Sequence, residues 1–153
     1  MTAAAEARFA LAVHGGAGTI RRASMTAKDE AAYRAALDAA LEAGAKILHD
    51  GGSALDAVEA AVVVLEDDPL FNAGRGSVLN AEGRVEMDAA VMDGRGRKAG
   101  AVAAVGSVRN PVILARRVME HSPHVLLVGA GAEAFGKEQG VAFAGPEWFR
   151  TER

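Results

Sequence analysis

Cysteine is absent from the 153-residue chain, so no disulfide, thiol nucleophile or Cys-ligated metal site can form within it. There is no large excess of one charge either: 17 Lys and Arg stand against 20 Asp and Glu, for a net charge of −3 and a pI near 5.8. The basic residues are scattered along the chain, which removes the electrostatic basis for binding nucleic acid or an anionic membrane. Their one local run, Arg95-Gly96-Arg97-Lys98, reads as a solvated turn. The N-terminal part lacks a long hydrophobic run. Its apolar stretch at residues 9–13 follows Glu6 and Arg8 and is too short for a secretion-signal core or a membrane span. A cytoplasmic setting is the default expectation. Low-complexity linkers are missing as well, so a single unit over residues 1–153 is expected, long enough for one core.

The chain instead alternates strand and helix patterns. Residues 9–14 are apolar and bounded by glycine, which predicts a buried strand. Thr26 with Asp29 predicts a capping box that opens a helix whose small and apolar positions are Tyr33, Leu37, Ala40, Leu41, Gly44, Ile47 and Leu48. Gly51 and Gly52 end it. A second helix starts at Ser53 with Asp56 three residues on, and its stripe is Leu55, Val58, Val62 and Leu65, widened by Val63 and Val64. A hairpin with its turn at 81–84, a strand over 99–108, a helix over 112–120 capped by Asn110 and Pro111, a buried strand at 125–128 and a short helix over 132–139 complete the pattern. Helices packed on a sheet follow from this mixture.

Candidate chemistry begins at His14-Gly15-Gly16-Ala17-Gly18, a glycine-lined turn directly after the first apolar run. Glycine accepts φ > 0 and lets a ligand approach main-chain N–H groups closely, as oxyanion sites require. Further on stand Pro69-Leu70-Phe71-Asn72-Ala73-Gly74-Arg75-Gly76-Ser77-Val78-Leu79-Asn80 and Glu86-Met87-Asp88-Ala89-Ala90-Val91-Met92-Asp93-Gly94. They are followed by Lys98-Ala99-Gly100-Ala101-Val102-Ala103, Arg109-Asn110-Pro111-Val112 and Val118-Met119-Glu120-His121-Ser122-Pro123-His124-Val125. Together, in this order, they resemble the plant-type asparaginase and isoaspartyl peptidase family of N-terminal nucleophile hydrolases, over residues 9 to 148.

That resemblance implies an α+β fold, a four-layer αββα sandwich shared between two chains cut from one precursor by autoproteolysis. The present sequence looks like the α-chain. Its threonines, Thr2, Thr19, Thr26 and Thr151, do not stand in the family's cleavage motif, so the resemblance puts the nucleophilic threonine, and hence the catalytic residue, on a β-chain. The implied reaction hydrolyses L-asparagine and β-aspartyl dipeptides without an organic cofactor, in an (αβ)₂ heterotetramer. The α-chain residues that match the family's supporting positions are Gly15 and Gly16, in a loop beside the nucleophile, and Asn72, close to it. Residues 65 to 75 match a stabilisation loop that wraps a sodium ion in main-chain carbonyls, here those of Leu65, Glu66, Asp68, Phe71, Ala73 and Arg75. Backbone carbonyls are hard oxygen donors suited to such an ion.

Other residues read as structural. Asn72 also suits a turn in which it bonds its own backbone. His121 and His124 flank a helix-breaking Pro123, Asp88 and Asp93 fall on opposite faces of a strand as anchors for turns, and His49 sits at a helix C-terminus. Two other functional readings remain. Gly129-Ala130-Gly131-Ala132-Glu133-Ala134 satisfies the dinucleotide pattern G-x-G-x-x-A between a strand and a helix, although the chain ends too soon for the acidic residue that completes it. Gly16-x-Gly18 is weaker, with Arg21 in the third glycine's place. The third reading is a catalytically inactive structural half.

Overall fold

The computed structural model describes residues 9–17 and 22–151, so Gly18 and Thr19 lie outside the described residues. The chain is α+β and divides into two compact units, Met1–Val64 and Leu65–Arg153.

In the first unit, helix α1 spans Ala27–His49 and helix α2, Ala54–Asp67, begins. The expected capping box opens α1: the Thr26 hydroxyl accepts the Asp29 N–H at 3.1 Å, and the Asp29 carboxylate accepts the Thr26 N–H at 3.2 Å. The Thr26 hydroxyl also donates to the Asp29 carboxylate at 2.7 Å, and this bond first, then that from the Thr26 N–H, holds the Asp29 carboxyl below its ordinary value of 3.8. A depressed carboxyl contributes stability above its unfolded value and loses it as pH falls through the lower, folded value. The first turn of α1 is therefore expected to fray as pH drops below 3.8, and Thr26→Ala to return Asp29 toward the ordinary range. Carboxyl carbon shifts followed through an acid titration check both.

Gly51, with φ +82°, and Gly52, whose N–H bonds the Ile47 carbonyl at 2.8 Å, end α1 as expected. Ser53 opens α2, its hydroxyl accepting the Asp56 N–H at 3.1 Å. The buried residues of α1 are small, Ala36, Ala40 and Gly44, as are Ala57 and Ala61 on α2, the two that Gly44 faces. A Cβ at Gly44 would lie 2.9 Å from the Ala57 carbonyl oxygen. The expected α2 stripe is corrected accordingly, because Val58 is 38% exposed and the alanines, which let the backbones meet, take the inner face. Residues 9–14 are not a strand, since among the described residues none pairs with them and an unpaired strand leaves its N–H and C=O groups without a ladder. Phe9 instead meets the His49 ring edge-on at 4.8 Å.

The second unit is built on a mixed sheet, β1 (Met87–Asp93), β2 (Lys98–Val105) and β3 (Leu126–Val128), in the order β1-β2-β3. β1 and β2 are antiparallel, and β3 runs parallel to β2 after helix α3, Pro111–His121. Helix α4, Gly129–Glu138, follows β3, and a four-residue helix α5, Pro146–Phe149, comes near the end. The hairpin arm expected at 78–80 is reduced to one bridge, Leu79 to Val85, because Asn80 folds its side chain onto the N–H groups of Glu82 and Arg84. β2 stops at Val105 rather than 108, where the Glu133 carboxylate takes the next two N–H groups, those of Gly106 and Ser107, at 2.8 and 3.0 Å.

Register places Val91 with Gly100, Ala89 with Val102 and Met87 with Val105 on one face, and α3 covers that face through Leu114, Ala115, Val118 and Met119. The opposite face carries Ala90, Met92, Ala99, Ala101, Ala103, Leu126 and Val128. It stays open: Met92 is 66%, Leu126 52% and Val128 54% exposed. The expected burial of residues 125–128 is thus corrected, since within this chain no layer covers that side among the described residues. Apolar faces and strand edges thus stand exposed, as a sandwich shared between two chains would leave them in one chain alone. Asp88 faces a bulge at which Ala103 and Ala104 oppose it alone, and it accepts the Ala104 N–H at 2.8 Å, while Asp93 accepts the Arg95 N–H at 3.0 Å in the exposed 94–97 turn. Asp93 acts as the turn anchor expected of it, whereas Asp88 anchors a strand bulge instead of a turn. No described helix is long and apolar enough to cross a membrane.

Candidate functional site

The segment between α2 and β1 folds back on the end of α2. Its ring is closed by the Arg75 N–H on the Glu66 carbonyl at 2.7 Å, and the Asp68 carboxylate turns the chain by accepting the Leu70 N–H at 2.8 Å. Gly74 and Gly76 adopt φ of +56° and +98°, a region costly for residues with a Cβ. Space demands glycine as well. A Cβ at Gly74 would run into the Glu66 carbonyl oxygen, and one at Gly76 would lie 2.7 and 3.0 Å from the carbonyl oxygens of Pro69 and Phe71. Three carbonyls thus gather at the two glycines, one against Gly74 and two against Gly76, a cradle that only glycine backbone can border. Among the expected donors, Glu66 and Phe71 belong to this cradle; the Glu66 carbonyl also accepts the Arg75 N–H at 2.7 Å, and the Asp68 carbonyl the Phe71 N–H at 3.3 Å. Leu65 lies in the last turn of α2, Ala73 is half-buried in the loop, and Arg75 closes it. The Pro69 carbonyl was not foreseen. Such a cradle of neutral oxygens fits a hard monovalent cation by donor chemistry.

Asn72 stands at the outer rim of the same loop. Its side-chain oxygen accepts the Val78 N–H, six residues on, at 2.9 Å, which commits the oxygen to the loop and leaves the amide NH₂ as a donor. Asn72 borders two hollows. One, of about 780 Å³, is walled by Val78, Leu79, Phe149, Arg150 and Thr151; the other, of about 240 Å³, is lined by Glu66, Glu86 and Asp88. In the other unit, the Gly16 N–H bonds the His14 Nδ1 at 3.0 Å and Gly16 adopts φ +101°, so the turn needs glycine for its conformation. Gly15 is exposed beside it.

Sequence reasoning missed what supports the loop. The buried Glu66 carboxylate accepts the Val112 N–H at 2.9 Å and so caps α3 from the end of α2. The Asn110 side chain, expected to cap α3, donates instead to Asp67 at 3.1 Å, and Arg109 joins it there at 3.2 Å. Trp148 lies between two guanidiniums, Arg109 at 4.3 Å and Arg75 at 5.1 Å from its ring centroid. The last helix was not foreseen, although Pro146 at its start was a local signal.

The remaining candidates have other partners. His121 lies 3.9 Å from the Glu120 carboxylate and 3.4 Å from Arg117, and the His124 N–H bonds the Ser122 hydroxyl. Among the described residues, no three His, Asp or Glu side chains are grouped to hold a metal. Gly129, at φ +54°, does stand between a strand and a helix. Glu133 of that helix turns its carboxylate onto the Gly106 and Ser107 N–H groups after β2.

With this geometry in hand, comparison with known proteins is decisive. The profile described as asparaginase matches residues 7–153. The chain belongs to the asparaginase family. Across 141 residues it is 55% identical to an isoaspartyl peptidase of Salmonella typhimurium, covering 92% of this chain and 45% of that protein. It is 54% identical over 131 residues to a plant-type L-asparaginase of Pyrococcus abyssi, covering 86% and 41%. A human isoaspartyl peptidase/L-asparaginase is 51% identical over 142 residues, covering 92% and 44%. The chain spans a little under half the length of these curated relatives.

Proposed function

We propose that this chain is the α-chain of an isoaspartyl peptidase and L-asparaginase, active only with a β-chain from the same precursor. The observation that carries this reading beyond family membership is the open sheet face of Ala90, Met92, Ala99, Ala101, Ala103, Leu126 and Val128. Small and apolar residues in that alternation suit a second sheet packed about 10 Å away, as the inner layer of a four-layer αββα sandwich requires. On this reading residues 1–153 form one catalytic domain jointly with the β-chain, two such pairs assemble as (αβ)₂, and the enzyme works in the cytoplasm.

The nucleophile is the β-chain's N-terminal threonine. Its hydroxyl attacks the side-chain carbonyl of asparagine or of a β-aspartyl dipeptide, and its own α-amine, neutral in useful amount near pH 7, takes the proton. Ammonia or an amino acid leaves, and water hydrolyses the ester. The α-chain supports this step: Asn72 presents its amide NH₂ near the nucleophile, and the Gly15–Gly16 turn shapes the cleavage site. The residues 65–75 would hold a sodium ion with the carbonyls of Leu65, Glu66, Asp68, Phe71, Ala73 and Arg75, of which those of Glu66 and Phe71 lie in the cradle beside Gly74 and Gly76. That ion supplies fixed charge that stiffens the loop beneath Asn72.

Mass and N-terminal residue of every polypeptide in the purified protein test the proposal. A second chain beginning with threonine, together with release of aspartate from asparagine or a β-aspartyl dipeptide, is the expected result. An unpartnered chain, or a two-chain protein that hydrolyses neither substrate, overturns it.

A further inference from the structure

Trp148 connects the carbonyl cradle to the end of the described chain. Arg75 belongs to both: its main-chain N–H closes the loop on Glu66, and its exposed side chain lies over the indole. On the ring, Arg109 is anchored by the Asp67 carboxylate, so the indole is held from the end of α2 as well. The Gly76 N–H, next to the cradle, bonds the Phe149 carbonyl at 3.0 Å. The indole Nε1 is buried without a hydrogen-bond partner among the described residues, so ring contacts rather than its N–H fix its place. Phe149, Arg150 and Thr151 then wall the 780 Å³ hollow beside Asn72.

We propose that Trp148 is a positioning residue that couples cation occupancy of the residues 65–76 loop to the placement of residues 146–151, and so to the shape of the Asn72 hollow. The inference rests on the cation reading above, not on the identity of the nucleophile. A cation seated among the loop carbonyls is repelled by the nearby Arg75 guanidinium. The negative face of the indole offsets the guanidinium charge, so that repulsion is lessened when the guanidinium rests on the ring. Filling the loop therefore favours the closed Arg75–Trp148 contact, and by reciprocity the closed contact tightens cation binding by the same factor.

The test uses the whole protein and sodium chloride, with choline chloride holding ionic strength constant. Emission of Trp148, taken as the difference from Trp148→Phe, is read beside sodium-23 relaxation. Emission is expected to shift with sodium at the half-saturation that relaxation reports, and not with choline. Trp148→Ala should raise the half-saturating sodium concentration about tenfold, a typical coupling factor, while Trp148→Phe, which keeps an aromatic face, stays near wild type. Arg75→Gln covers the case in which Trp148→Ala does not fold: sodium still fills the backbone cradle but emission no longer responds. Sodium relaxation with indifferent emission, or unchanged affinity in Trp148→Ala, overturns the coupling alone. Sodium-free behaviour by both readouts overturns the coupling together with the cation site, and leaves the hydrolase reading to its own test.

Discussion

Gly100→Ala is expected to lower stability by about 3 kcal/mol, the upper part of the range for overpacking a core. Gly100 lies mid-strand in β2, directly beneath α3, and a Cβ there would run into the Ala115 carbonyl oxygen and lie 2.5 Å from the Met119 nitrogen. Both are backbone atoms of α3, so no rotamer change relieves the overlap and the helix must lift. It would take with it Leu114, Ala115 and Val118, all fully buried against the sheet. Gly136→Ala on α4 is the contrast, because its Cβ meets only side-chain ends, Leu114 Cδ1 at 3.2 Å and Phe143 Cζ at 3.4 Å. There the helix propensity gained, about 1 kcal/mol, offsets the crowding. Urea midpoints at unchanged slope measure both. Equal midpoints for Gly100→Ala and wild type would show that α3 does not approach β2 this closely.

Glu66→Ala is expected to cost about 2–3 kcal/mol and Glu66→Gln about 1 kcal/mol or less. The carboxylate is 3% exposed and accepts the Val112 N–H in the first turn of α3. Alanine strands that donor away from water and removes a negative charge from a helix N-terminus, where it is favourable. Glutamine keeps an acceptor oxygen and loses only the charge. Glu66 and Asp67 are unfavourable at the C-terminus of their own helix, and the cap they jointly make for α3, through Val112, Arg109 and Asn110, explains their presence there. Amide exchange at Val112 should rise in Glu66→Ala and change little in Glu66→Gln. Equal protection in both variants would show that the carboxylate does not cap α3.

Much of this was legible in the chain before folding. Thr26 with Asp29, and Ser53 with Asp56, act over three residues, so each cap is written entirely in its own turn. Gly51 and Gly52 end α1 for the same local reason. Asn72 was legible only in part: the motif marked the residue, while the bond to Val78 six residues away depends on how the loop closes. The failures have a common cause. Residues 9–14 carry a strand's composition, but a strand exists only where another supplies its ladder. Val58 is apolar and faces outward because Gly44 and Ala61 allowed the helices to meet at alanine instead. Asn110 had the right identity for a cap and was drawn to Asp67 by a contact 43 residues distant.

By itself the sequence determined the family, the caps that open α1 and α2, the turn that ends α1, and which loop to watch. These rest on residue identity and on interactions a few residues long, where chain connectivity leaves few alternatives. Only the tertiary structure decided that Glu66 caps α3, that carbonyls gather beside Gly74 and Gly76, that Trp148 lies between two arginines and that one sheet face is left open. All but the carbonyl cradle, which closes within residues 66–76, depend on distances between segments far apart in the chain. Such distances come from packing and burial, which no local pattern of residues specifies.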